Sequence, residues 1–228
     1  MFRVEAVAET GSTNSDLQLR AAAGAPEGLW LRADRQTGGK GRQGRTWVSP
    51  PGNLYASTLV RLRPPDPPAP TLALVAAVAL HEAVSGFAPV QLKWPNDLMA
   101  NSAKLAGILL ERSGDAVVIG FGVNLAHHPV GLERPVTSIA ALTGAAPDPV
   151  IFAELLAERF AAWLTRWRGE GLVPLRAAWV GAAHPRGTAL STSEGEGTFD
   201  GLEPDGSLRL LLPGGERRLI RAGDVFLV

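Results

Sequence analysis

The runs "FRVEAVAE" (2–9), "GLWLRAD" (28–34) and "NLYASTLVRL" (53–62) are short, partly apolar and bounded by turn residues, the pattern of strands. Between the first two, "SDLQLRAAA" (15–23) predicts a helix, with the polar "TGSTN" (10–14) as its N-cap. "TLALVAAVALHEAVSG" (71–86) is apolar nearly all round, which predicts a buried helix with a threonine cap and a glycine stop. "VQLKW" (90–94), "KLAGILLE" (104–111) and "AVVIGFGVNL" (116–125) follow as three strands, with "PND" and "SGD" as the turns between them. Such consecutive short strands predict a largely antiparallel sheet. From 150, Phe152, Leu155, Leu156, Phe160, Trp163 and Trp167 recur at three- and four-residue spacing, an amphipathic helix ending at Gly169.

Beyond His184 the pattern changes to short β-runs punctuated by "PDG" (204–206) and "PGG" (213–215). This predicts a small β-barrel too short to have much core of its own, which leans on the larger unit. "RPPDPPAP" (63–70) supplies too few donors for helix or central strand and reads as an exposed connection. No internal repeat is visible.

Composition narrows the chemistry. The 228 residues carry 22 basic and 22 acidic side chains, a balance unlike that of a general polyanion binder. The chain has no cysteine and four histidines, so disulfides and thiolate metal sites are excluded and no metal ligand is assigned. "MFRVEAVAETGSTN" has no apolar core with a cleavage site, and "LALVAAVAL" (72–80) is too short to span a bilayer. The expectation is a cytoplasmic protein that binds neither membrane nor DNA.

Against that neutral background "GGKGRQGRTW" (38–47) is a local concentration of cations and bare amides. Glycines let backbone N–H groups close on an anion, and Arg42, Arg45 and Lys40 add charge-assisted donors. A flexible, solvated loop explains the same letters. No Ser or Thr follows Lys40 as a Walker loop requires, and "GFGVNL" (120–125) lacks the third glycine of a dinucleotide fingerprint. "LKWPNDL" (92–98) places Asn96 and Asp97 in a turn, and Lys104 opens the strand that follows.

In this order "STN" (12–14), Gln36, "GKGRQGR" (39–45), "KWPND" (93–97), "KLAGIL" (104–109) and "GFGVN" (120–124) resemble the biotin–protein ligases. The resemblance implies an α+β fold: a class II synthetase-like, largely antiparallel sheet with helices over 1–183, and a small SH3-like β-barrel over 184–228. It implies activation of biotin by ATP, with Mg²⁺ on the nucleotide, to biotinyl-5′-AMP. Transfer to a lysine of a biotin carboxyl carrier protein domain follows. Carried over residue by residue, Ser12, Thr13, Asn14, Gln36, Lys40, Gly41, Arg42, Lys104 and Gly107 would meet biotin. Gly39, Lys40, Arg42, Arg45, Trp47, Asn96, Lys104 and Asn124 would meet the nucleotide, and Arg42, Lys104 and Asp97 would serve catalysis, with Asp97 drawing in the acceptor ammonium.

Two departures stand out. Lys40 replaces the usual arginine, and only nine residues precede "TGSTN", which implies the class without a DNA-binding domain. Relatives also pair as homodimers. Two other readings remain: a lipoate or octanoyl ligase, whose Arg-Arg-x-Ser-Gly-Gly-Gly segment is missing here, and a non-catalytic nucleic-acid or peptide binder. If the loop is a lid over an adenylate, amide hydrogen exchange over 39–45 should slow markedly when the adenylate is bound. Equal exchange with and without it would contradict the lid.

Overall fold

The computed structural model describes residues 2–228. In chain order the larger part comprises β1 (Arg3–Thr10), α1 (Thr13–Ala22), β2 (Leu29–Gln36), β3 (Leu54–Arg61) and α2 (Leu72–Ser85). It continues with β4 (Gln91–Lys93), β5 (Asp97–Ala100), β6 (Ala103–Ser113), β7 (Ala116–Val123), α3 (Ile139–Thr143), α4 (Pro149–Glu170) and α5 (Leu172–Ala182). The C-terminal part holds β8 (Ala189–Thr192), β9 (Gly195–Leu202), β10 (Leu208–Leu211), β11 (Arg217–Ile220) and β12 (Val225–Leu227).

The first seven strands form one sheet in the order β1-β2-β3-β7-β6-β5-β4. Only β1 and β2 run parallel, and every other pairing is antiparallel. Period-two alternation sorts side chains between the two faces. Leu29, Leu31, Leu59, Ala116 and Val118 lie with Leu17 and Ala21 of α1. Trp30, Leu54, Ala56, Val117, Ile119 and Phe121 lie with α2 and α4 on the other. There Trp30 stacks on Phe121 at 5.5 Å and meets Phe160 of α4 edge-on at 5.7 Å.

The C-terminal strands form an antiparallel sheet in the linear order β11-β10-β9-β8-β12. In this order β11 and β12 are the edge strands of the small C-terminal β unit. This sheet has no separate core: Phe199, Leu208 and Leu210 share one apolar cluster with Trp94, Leu175 and Trp179. Trp179 meets Phe199 at 6.2 Å, Trp94 Nε1 donates to Gly206 O at 3.2 Å, and Arg176 Nη2 donates to Leu202 O at 2.6 Å.

Several local expectations change. Thr71 stands at the N-cap position of α2 without a side-chain cap bond; its hydroxyl accepts from Trp167 Nε1 at 2.8 Å and donates to Pro68 O at 2.6 Å, joining α2 to α4. Helix α4 runs through Gly169 and breaks at Gly171, where φ is +73°. Strand β5 and helices α3 and α5 were not foreseen. Pro174 is accommodated in the first turn of α5, where no intrahelical donor is lost. Among the described residues no helix is long and apolar enough to cross a membrane.

An ion cluster fixes the end of α4 to the sheet. Arg168 donates to both Glu27 oxygens at 2.7 and 2.8 Å, to Asp66 at 3.1 Å and to Arg61 O at 2.9 Å. Burial pushes the Glu27 carboxyl up, but Arg168 outweighs it and holds the group below the ordinary range. A depressed folded pKa contributes stability above the unfolded value, about 4.3, that is lost as pH falls through the folded value. Replacing Arg168 with Met leaves Glu27 with Arg63 alone and buried Asp66 with no cationic side chain, and should lower unfolding free energy by about 3 kcal/mol. Urea titration at neutral pH and below pH about 4 checks this, since the difference should shrink as Glu27 protonates.

Candidate active site

On the α1 face, β7 changes character along its length. Ala116 and Val118 are apolar where α1 covers them, and Gly120 and Gly122 follow at the next two positions of that face. Gly107 of β6 pairs with Gly122, so the glycines form one bare patch across two strands. The patch is closely used. A Cβ on Gly120 would fall 2.2 Å from Asn14 Oδ1, and one on Gly122 would fall 2.5 Å from Trp47 Cε2. A Cβ on Gly107 would meet Lys104 Nζ and Trp47 Cζ3, both at 3.3 Å. "GFGVN" is therefore a strand interior that lets side chains from elsewhere lie on the sheet, and not a phosphate-binding turn.

Above this floor is a cavity of about 390 Å³, within the usual range for a small-molecule site. The sequence-predicted residues Ser12, Thr13, Asn14, Gln36, Lys40, Gly41, Arg42, Arg45, Trp47, Asn96, Asp97, Lys104, Gly107 and Asn124 all line it. Gly39 does not. Its backbone packs against the loop's own return, where a Cβ would sit 2.5 Å from Trp47 O, so that glycine serves the loop's fold.

One end of the cavity is a buried polar network. Ser12 caps α1, its hydroxyl accepting weakly from Ser15 N at 3.5 Å. Thr13 N donates to Gln36 Oε1 at 2.9 Å, and Gln36 Nε2 donates to Ser49 Oγ at 3.2 Å. Thr13 Oγ1 lies 2.7 Å from Ser57 Oγ, which donates to Asn14 Oδ1 at 2.6 Å. Asn14 Nδ2 donates to Glu111 Oε2 at 2.8 Å. The Asn14 amide is thus engaged by the protein and anchors the cluster, while Ser57 and Ser49 join a network that motif reading confined to "STN" and Gln36.

The cavity lining is also strongly cationic. Lys40, Arg42, Arg45, Lys93, Lys104 and Arg134 line the cavity against only two carboxylates, Asp97 and Asp224. Lys104 Nζ lies 2.5 Å from Asp97 Oδ1, and Lys93 Nζ lies 3.2 Å from Oδ2. Burial alone would raise the Asp97 carboxyl, but Lys104 and then Lys93 outweigh it and hold the group below the ordinary range. Asp97 thus faces two ammonium groups, Lys93 and Lys104, in the structure. Lys104 Nζ also lies 5.5 Å from the centre of the Trp47 ring. The Trp47 indole N–H is buried without a protein acceptor.

The side-chain amides of Asn96 and Asn124 both donate to backbone carbonyls. Asn96 Nδ2 donates to Ile108 O at 2.8 Å while its Oδ1 accepts from Arg42 Nη1 at 3.1 Å. Asn124 Nδ2 donates to Thr137 O at 3.0 Å and ties the segment after β7 to the sheet. That segment contributes Pro129, Leu132 and Arg134 to the wall, and β12 contributes Phe226, with Arg134 stacked 4.2 Å from its ring. Neither wall was foreseen. Lys93 stood inside a quoted motif and was readable, whereas Asp224 and Phe226 carry no local signal.

The biotin/lipoate A/B protein ligase family profile matches residues 9–124, and the biotin protein ligase C-terminal domain matches residues 190–228. The chain belongs to the biotin protein ligase family. This ligase is 41% identical to the biotin–[acetyl-CoA-carboxylase] ligase of Paracoccus denitrificans, over 96% of this chain and 98% of the relative. It is 38% identical to the corresponding Mycobacterium tuberculosis ligase, over 73% of this chain and 65% of the relative. Its fold superposes on an Aquifex aeolicus biotin protein ligase, solved in complex with biotin and ATP, with a TM-score of 0.89. That comparison covers both chains in full at 26% identity.

The Gly122 contact yields a test of the floor. A methyl there forces Trp47 off the patch, since neither the strand nor the ring has room to share. Gly122→Ala should keep the fold by circular dichroism and raise the KM of the small-molecule substrate at least tenfold, about 1.4 kcal/mol. An unchanged KM would show that Trp47 has no part in the binding surface.

Proposed function

We propose that this ligase uses ATP to activate biotin as biotinyl-5′-adenylate and then passes the biotinyl group to a lysine of a carrier domain. The observation that carries the proposal is the make-up of the cavity: a bare floor, a buried hydrogen-bonding cluster at residues 12–14, and six cations against two carboxylates in the lining. A carboxylate must approach a phosphate in the first step. Two unit charges 4 Å apart repel by about 1 kcal/mol in water and about 4 at an effective dielectric of 20. Lys104, held over the floor by Asp97, and Arg42, held by Asn96, supply compensating charge at fixed positions, so little reorganisation accompanies the step. Lys40 Nζ donates to Ser15 Oγ at 2.9 Å, which keeps its ammonium near the start of α1.

The polar end suits a ureido group, which both donates and accepts, better than a dithiolane, which does neither well. The floor and Trp47 offer apolar contact for a ring system. No group of three or more His, Cys, Asp or Glu side chains suited to a metal occurs among the described residues. Both lining carboxylates are ion-paired, so Mg²⁺ would be carried by the triphosphate. The name of the Paracoccus relative supports acetyl-CoA carboxylase as the source of the carrier domain, and ATP dependence suits a cytoplasmic location.

The test is incubation with ATP and Mg²⁺ plus either biotin or lipoate, with detection of the acyl-adenylate by mass, followed by addition of a biotin carboxyl carrier domain. Biotinyl-adenylate and a labelled carrier lysine are the expected products. Adenylate with lipoate alone would move the assignment to the lipoate branch, and none with either acid would end it.

A further inference from the structure

Three consecutive residues at the entry to β12 meet cations that line the cavity. Arg45 Nη2 lies 2.7 Å from Asp224 Oδ2, and Arg42 Nη1 lies 3.7 Å from Oδ1. Arg42 Nη2 donates to Gly223 O at 3.2 Å, and Lys93 Nζ donates to Val225 O at 2.8 Å. Cations from the glycine-rich loop and from the end of β4 thus converge on residues 223–225. Among the described residues Asp224 is the only carboxylate paired with Arg42 or Arg45.

The donors explain what such a clasp does. A guanidinium has five N–H donors. Arg42 commits Nη1 to Asn96 and Nη2 to Gly223, and Arg45 commits Nη2 to Gln43 and Asp224. Each retains Nε and further N–H groups, so an anion can bind without expelling the carboxylate. Without the clasp, a segment with glycine at 38, 39, 41 and 44 must be ordered by the ligand, at a large entropic cost. We propose that Asp224 is a positioning residue for the nucleotide: it holds the 38–47 loop so that Arg42 and Arg45 present their remaining donors to the phosphates. This rests on the activity proposed above. The contrary arrangement, in which Asp224 competes with phosphate for the arginines, predicts the opposite sign.

The experiment compares Asp224→Asn and Asp224→Glu with the full-length parent in two ways. Steady-state kinetics gives KM for ATP and for biotin separately. Limited trypsin digestion without nucleotide reads the loop directly, because Lys40, Arg42 and Arg45 are cleavage sites within it. The pairs are partly solvent-screened, so Asp224→Asn should raise the KM for ATP about five- to tenfold, somewhat less than one unscreened charge-assisted hydrogen bond. The KM for biotin should stay within about twofold, trypsin should cut within 40–45 faster at unchanged Tm, and Asp224→Glu should restore both readouts. An unchanged or lower KM for ATP with unchanged cleavage would overturn the proposal. So would a parallel rise in both KM values with a fall in Tm, which marks a merely structural residue. If the parent makes no acyl-adenylate, the assigned activity fails while the trypsin comparison still decides whether Asp224 holds the loop.

Discussion

A side chain and a ligand cannot occupy the same place on one face of a strand, and β7 resolves that conflict within eight residues. Its odd-numbered positions build the main core without interruption. Its even-numbered positions are apolar under α1 and then bare at Gly120 and Gly122. The vacated space admits Asn14 from the start of α1 and Trp47 from the far end of the cationic loop. Both pieces of the cavity wall are therefore seated by what the strand lacks. The continuous core on the opposite face keeps so bare a segment from becoming a weak point.

Charge is distributed on the same plan. The chain is neutral, yet its cavity gathers six cations against two carboxylates, so the compensating acids lie elsewhere in the chain. Asp97 shows why some negative charge stays in the site. Two lysines brought together unaided would repel and splay into solvent, and a half-buried carboxylate between them sets their separation. The surplus that remains is the part available to an anionic substrate.

How much was legible in sequence follows from the range of each interaction. The three- and four-residue spacing of Phe152, Leu156, Phe160, Trp163 and Trp167 announced α4, because a helix buries its own periodic stripe. Its end did not follow from Gly169, which is helical here; the break needed the positive φ of Gly171. Strand β5 lay hidden behind "PND", since four residues beside a turn carry too little pattern. The loop, "KWPND" and "STN" were visible because each is contiguous. Ser57, Asp224 and Phe226 were not, because their role exists only once distant segments meet. Asn14, Asn96 and Asn124 were singled out as ligand contacts, yet their amides are bonded largely to the protein, which residue type and position alone do not reveal.

The cavity has one wall at residues 12–14 and another at 224–227, with lining residues from β2, β4, β5, β6 and β7 between them. Contacts so far apart in the chain are rewarded only after long loops have closed, and such topologies reach their native state slowly. A partly assembled chain would display the arginine-bearing loop and its glycines but enclose no volume. Appearance of substrate binding would then report completion of the whole tertiary structure, which makes ligand affinity a more stringent measure of refolding than secondary-structure content.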